Sequence, residues 1–151
     1  MVHVTVADPG SVDARPLIAE LDAYLAGLYP EESNHLMSVK ALRQPNVTFV
    51  LARTSDIAVG CGAFVNHGGA YAEVKRMFVR PGFRGQRIGQ LILGDLERRA
   101  RQAGLCVARL ETGIAQPGAL ALYERAGYVR RGPFGDYGND PLSVFMEKPL
   151  A

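Results

Sequence analysis

Tryptophan is missing from this 151-residue chain, cysteine occurs twice, and no apolar run approaches the roughly 18 residues that a bilayer-spanning helix needs. Cys61 and Cys106 are too few for a disulfide framework and lack the spacing of a redox or zinc pair. Each sits in an apolar run, VGCGAFV and GLCVARL, so both are expected as buried free thiols on strands. His3, His35 and His67 are scattered without a carboxylate cluster, and no metal site is expected. The formal net charge of +2 is too small to argue for a nucleic-acid partner. The opening MVHVTVADPG has no basic stretch followed by an apolar core, so neither a secretory signal nor a membrane partner is expected, and the default location is cytoplasmic. Neither G-x-x-x-x-G-K-[ST] nor a G-x-G-x-x-G after a strand occurs, which sets aside the Walker and dinucleotide phosphate loops.

What is present is a chain of one domain's length, expected as a single domain over 1–151, with a readable alternation of strand and helix patterns. Val2–Val6 alternates apolar and polar residues as a strand does. Leu17, Ile18, Leu21, Leu25 and Leu28 recur at helical spacing behind the candidate caps Ser11 and Asp13, and Pro30 closes the pattern. A short second helix is expected around Leu36 to Leu42. Val47–Arg53 and Ile57–Val65 flank Thr54-Ser55-Asp56, the composition of a hairpin turn, and a third strand runs from about Ala70 to Arg80.

Ile88, Leu91, Ile92, Leu96, Ala100 and Ala103 then mark one face of the clearest helix, with Gly104 as its stop. A strand from Leu105 to Glu111, a helix from Pro117 to Ala126 stopped by Gly127, a strand from Tyr128, a loop over Gly132 to Pro141 and a strand from Leu142 to Glu147 complete the chain. The order β-α-α-β-β-β-α-β-α-β-β implies an α/β fold: a mixed sheet with helices on its faces.

Glu73 to Leu93, EVKRMFVRPGFRGQRIGQLIL, reads as strand, Gly/Arg-rich turn and helix start. The first N–H groups of a helix lack intrahelical partners and carry partial positive charge, so such a turn suits a phosphate. Arg76, Arg80, Arg84 and Arg87 crowd around it, and a guanidinium fork matches phosphate oxygens.

Arg84-Gly85-Gln86-Arg87-Ile88-Gly89 resembles the phosphate loop of the GNAT superfamily of N-acetyltransferases, Gln/Arg-x-x-Gly-x-Gly/Ala, with Arg87 in place of its first glycine. Gln116 to Tyr128, QPGALALYERAGY, resembles the family's second signature, Asn-x-x-Ala-x-x-Leu-Tyr-x-x-x-Gly-Phe. The resemblance implies the GNAT fold, with the strands at Ala70–Arg80 and Leu105–Glu111 splayed apart to admit acetyl-CoA. It also implies transfer of an acetyl group to an amine of a small molecule by direct attack in a ternary complex.

By that resemblance Met77, Phe78 and Val79 pair with the pantetheine arm, Met77 supplies the N–H for the carbonyl oxygen, and Arg84, Gly85, Gln86, Arg87, Ile88 and Gly89 cradle the pyrophosphate, with Gln116 beside them. Tyr123 matches the acid that protonates the departing thiolate and Glu73 the base, with Glu111 as the rival carboxylate. The segment Gly132–Tyr137 with Asp140–Ser143 resembles a border of the acceptor pocket in bacterial small-molecule members. The segment Tyr29–His35 lies where such members place acceptor-binding helices and loops, with Glu31 and Glu32 read as a solvated pair rather than site residues, and a homodimer is the family's common habit. Two other readings stay open: a CoA-binding regulatory module without transfer activity, and acetylation of a protein or peptide.

Overall fold

A computed structural model describes residues 1–150. Seven strands form one sheet: β1 (Val2–Val6), β2 (Val47–Thr54), β3 (Ile57–Asn66), β4 (Ala72–Val79), β5 (Val107–Gly113), β6 (Val129–Arg131) and β7 (Ser143–Pro149). Four helices accompany them: α1 (Ala14–Ala26), α2 (Val39–Leu42), α3 (Ile88–Gln102) and α4 (Pro117–Arg125). The expected order is present, with 3-10 turns at Glu31–Ser33 and Pro81–Phe83 added.

The sheet order is β1-β2-β3-β4-β5-β7-β6, and every neighbouring pair is antiparallel except β4 with β5. Ser55 and Asp56, both left-handed at φ 48° and 64°, close β2 onto β3 as a two-residue turn whose twist matches the strands. Gly104 at φ +85° and Gly127 at φ +99° end α3 and α4 where the pattern placed their stops, since only glycine takes that conformation at little cost.

Each face of the sheet is covered. On one, Ile88, Ile92, Leu93 and Leu96 of α3 bury against Val50, Val59, Val74 and Leu110; on the other, Leu17, Ile18 and Leu21 of α1 pack with Leu42, Phe49, Leu51 and Phe78. Full burial of such a side chain is worth roughly 1.5–3 kcal/mol, so α3 alone supplies a large share of the fold's driving force. Gly60 and Gly62 set how closely α3 approaches: a Cβ on Gly62 would lie 2.8 Å from both Ile92 and Met77.

Some expectations are corrected. Leu91 is 48% exposed and Ala103 is also exposed, outside the buried face of α3. Cys61 is buried, but Cys106 is exposed, because β5 begins one residue later and leaves the thiol in the loop after Gly104. The short helix α2 is confined to Val39–Leu42, where Ser38 accepts a hydrogen bond from the N–H of Ala41. Ser11 rather than Asp13 caps α1, its hydroxyl taking the N–H of Ala14 at 3.2 Å. No helix of the described residues is long and apolar enough to cross a membrane.

Candidate active site

The site begins where the sheet opens. β4 pairs with β5 only at Ala72, Glu73 and Val74, opposite Ala108, Arg109 and Leu110; from Lys75 onward the two strands part, as expected. At the same level β4 carries a bulge: Arg76 and Met77 together face Gly62, because Cys61 pairs with Phe78 and Ala63 with Lys75. Arg76 sits in the left-handed region at φ 58°, a strain of order 1–3 kcal/mol for a non-glycine residue.

Two contacts offset that strain. The Cys61 thiol donates to the Arg76 carbonyl at 3.3 Å, and Asp22 Oδ1 of α1 lies 2.7 Å from Arg76 Nη1. No N–H of Arg76 points along the second contact, so it acts as a charge pair without a hydrogen bond. Burial, with Arg76 opposing it weakly, holds the Cys61 thiol at about 12, so it stays protonated and able to donate.

The opening leads into a cleft lined by β4 from Val74 to Met77, by Glu111 to Gly113, by Gln116 and Tyr123, and by the segment after α1. Tyr123 of α4 is buried, packs edge-on to Tyr128 at 5.9 Å and lines the cleft, and its hydroxyl makes no hydrogen bond to the described residues. Burial, aided by the nearby Glu111 charge, pushes the phenol far above its usual range and keeps it protonated. Glu111 lines the same cleft. Burial raises its pKa, and the Ser143 hydroxyl, donating to Oε2 at 2.8 Å, pulls in the opposite direction.

Glu73 stands behind this front. Its Oε1 lies 2.9 Å from His67 Nε2, and its Oε2 accepts the Tyr137 hydroxyl at 2.5 Å and lies 3.7 Å from Lys75 Nζ. Lys75, whose ammonium burial destabilises, faces the cleft and donates to Tyr137 at 2.9 Å and to the His35 carbonyl at 2.8 Å. Glu73 is therefore buried and fully engaged, outside the cleft lining, whereas Glu111 is part of it.

Gln116 also lines the cleft, with its amide oxygen accepting from Tyr29 Oη at 3.0 Å and from Gly113 N at 3.2 Å. The hydroxyl end of Tyr29 abuts Gly113: a Cβ there would fall 1.8 Å from the tyrosine oxygen. Lys75 was not anticipated as a site residue, whereas Ser143 lies in a segment that the resemblance placed at the acceptor pocket. The position of Lys75 was readable, since residues two apart on a strand share a face and Glu73 was already singled out. Tyr29 opens the segment through His35 that the resemblance placed among the acceptor-binding loops.

At the far end of β4, Pro81–Phe83 turn the chain and Arg84 through Gly89 open α3. Gly85 at φ +81° and Arg87 at φ +63° are both left-handed. Arg87 therefore adopts the backbone conformation that glycine favours at this place. No side chain caps α3 and no acidic residue sits in its first turn, so the N–H groups of Ile88, Gly89 and Gln90 are left to an outside acceptor. Arg84 is tied to the strand through Nε to the Val79 carbonyl at 3.0 Å, and its guanidinium lies over the rings of Tyr24 and Phe78. Gly89 lets α4 approach, with Leu122 3.2 Å from where a Cβ would be. This donor set fits a diphosphate.

A model of the acetyltransferase (GNAT) family matches residues 15–128. The chain belongs to the GNAT acetyltransferase family. An IAA acetyltransferase of Azospirillum brasilense is 51% identical over 153 residues, spanning 99% of this chain and all of that protein. A crystal structure from Klebsiella pneumoniae subsp. pneumoniae, assigned to the acyl-CoA N-acyltransferases, is 40% identical and superposes with a TM-score of 0.85 over 100% of this chain and 99% of that one. An aminoglycoside 6'-N-acetyltransferase crystallised with coenzyme A has the same fold, with a TM-score of 0.75 at 18% identity over 99% of this chain and 97% of that one. As a GNAT protein the chain is an acyltransferase, and the fold inferred from its two signatures is the fold it has.

Proposed function

We propose that this GNAT chain transfers the acetyl group of acetyl-CoA to the amine of a small molecule by direct attack in a ternary complex. One observation carries the reading: the gap between β4 and β5 opens onto a single cleft that holds a carboxylate of raised pKa and a protonated, unpartnered phenol.

Bound acetyl-CoA supplies an activated thioester. The uncapped N–H groups of α3, with Arg84 to Gly89, would hold its diphosphate, and the β5-facing edge of Met77, Phe78 and Val79 would hold its arm. In this reading Gln116 keeps the α4 end of the cleft in place through Tyr29 and Gly113.

An amine attacks only when neutral. Glu111, facing the cleft and held by Ser143, takes the proton of the acceptor ammonium; its raised pKa brings it closer to the working pH, where a base is most effective. Glu73 acts at one remove, through Tyr137 and Lys75. The Met77 N–H, freed by the bulge, is the donor for the negative charge that develops on the carbonyl oxygen, a contribution of about 2.7–4 kcal/mol for one such donor. Tyr123 gives its proton to the departing sulfur.

The test is release of free thiol from acetyl-CoA across a panel of amines. Release that requires the amine is expected. Release independent of any amine, or none with protein that binds CoA, would remove the reading.

A further inference from the structure

Tyr29 belongs to a set of three hydrogen bonds whose directions are all fixed. The Ala115 N–H can only donate, so the Tyr29 hydroxyl oxygen accepts it, at 3.1 Å. The hydroxyl hydrogen then goes to Gln116 Oε1, 3.0 Å away. The Gly113 N–H, also a donor only, meets the same atom at 3.2 Å, which identifies that atom as the oxygen of the amide and not its nitrogen. With the oxygen held from two sides, both hydrogens of Gln116 Nε2 are left without a partner among the described residues, and Gln116 lines the cleft. Tyr29 is buried and stopped by the Gly113 backbone, so the oxygen it holds has one place.

The sheet decides what those hydrogens face. β4 and β5 are parallel, so both leave it at the same end: β4 into the turn that opens α3, β5 through Gly113 into Gln116 and α4. Gln116 and Tyr123 are seven residues apart and share a face of α4, with Gln116 roughly 10 Å along the axis toward that end. In the cofactor placement proposed above, the arm between Tyr123 and the open end of α3 leaves by the same route, and its amide carbonyls are the acceptors available to a donor there. Resting on that reading, we infer that Tyr29 is a positioning residue for the cofactor: it fixes the Gln116 amide so that Nε2 donates to an amide carbonyl of the arm. An amide free to turn would set its own oxygen against that carbonyl, acceptor to acceptor, for part of the time.

The experiment is calorimetric titration with coenzyme A of the wild type, Tyr29→Phe, Gln116→Ala and the double variant, together with the KM of the panel amine that is turned over fastest. One hydrogen bond is at stake, so each single variant should bind coenzyme A about fivefold more weakly. The amine KM should stay within about twofold. In the Gln116→Ala background, adding Tyr29→Phe should change the affinity by less than about 1.5-fold, because the hydroxyl no longer has an amide to fix. A tyrosine that only supports the fold would lower Tm without that dependence on Gln116. Wild-type affinity for coenzyme A in either folded single variant would overturn the inference. So would losses that multiply in the double variant, or a raised amine KM in place of weakened coenzyme A. Affinities as expected with no amine turned over would uphold the role of Tyr29 and remove the acetyl-transfer reading.

Discussion

Replacing Tyr123 by Phe removes one hydroxyl and leaves the ring in its packing against Tyr128. Because that hydroxyl has no protein partner among the described residues, its loss orphans no buried group, and the change in stability should stay within about 0.5 kcal/mol. For a chain of this size that is roughly 1–2 °C in Tm. The rate is a different matter. A positioned proton donor contributes about 10²–10⁴-fold, or ~2.7–5.4 kcal/mol of barrier, and the thiolate would leave unprotonated in the variant.

The assay is steady-state thiol release with acetyl-CoA and a saturating acceptor amine, alongside a melting curve. The expected result is kcat lower by 10²-fold or more, an acetyl-CoA KM changed by less than about threefold, and an unchanged Tm. Since burial and Glu111 keep the phenol protonated far above neutrality, no limb of the wild-type pH profile below about pH 10 should belong to Tyr123. A kcat within a few-fold of wild type refutes the acid assignment, and a fall in kcat matched by a fall in Tm shows that the hydroxyl was structural.

Glu111→Gln should lower kcat by about 10²-fold and raise Tm at pH 8. Its raised pKa means that the folded chain binds the proton more tightly than the unfolded one, so the stability it contributes is full below the ordinary value of 4.5 and lost as pH rises through the raised value. The Tm advantage of the variant should therefore shrink toward pH 4; an advantage that grows on acidification contradicts the burial argument. Glu73→Gln, by contrast, is expected to raise the acceptor KM more than it lowers kcat, because it loosens Tyr137 and Lys75 without emptying the cleft of its carboxylate.

Arg87→Gly relieves about 1–2 kcal/mol of left-handed strain against up to ~1 kcal/mol of added unfolded-state entropy, so Tm should hold or rise slightly while CoA affinity falls and becomes less salt-dependent. A clear drop in Tm would show that the side chain anchors the loop. Gly113→Ala forces Tyr29 off its seat, at a cost of about 2–3 kcal/mol and ~4–12 °C in Tm; a melting curve like that of wild type would contradict the close approach.

Much of the fold was legible because local chemistry and long-range packing agree. Thr54-Ser55-Asp56 has residues that tolerate positive φ, the apolar spacing of Ile88, Ile92 and Leu96 matches a helix laid on a sheet, and Gly104 and Gly127 stop helices where no side chain could do so as cheaply. The Gly/Arg-rich turn that opens α3 was legible for the same reason. Local preference alone does not place the bulge, since an arginine in a left-handed conformation runs against its own preference and is held there by Cys61 and Asp22 from other elements.

The division of labour between the carboxylates was equally hidden. Whether Glu73 or Glu111 meets the cleft depends on Tyr137, which arrives from a loop 64 residues away, and on Ser143 from the last strand. Cys106 was misread because an apolar run does not say which of its residues begins the strand.

The central claim, a diphosphate held on the open end of α3 with its arm between the parted strands, is tested most directly by calorimetric titration with coenzyme A and with pantetheine, which lacks the nucleotide and its phosphates. Coenzyme A should bind with one site per chain, pantetheine about 10²-fold more weakly or not at all, and the difference should narrow as salt is raised. Equal affinity for the two, or no binding of coenzyme A, would contradict the account.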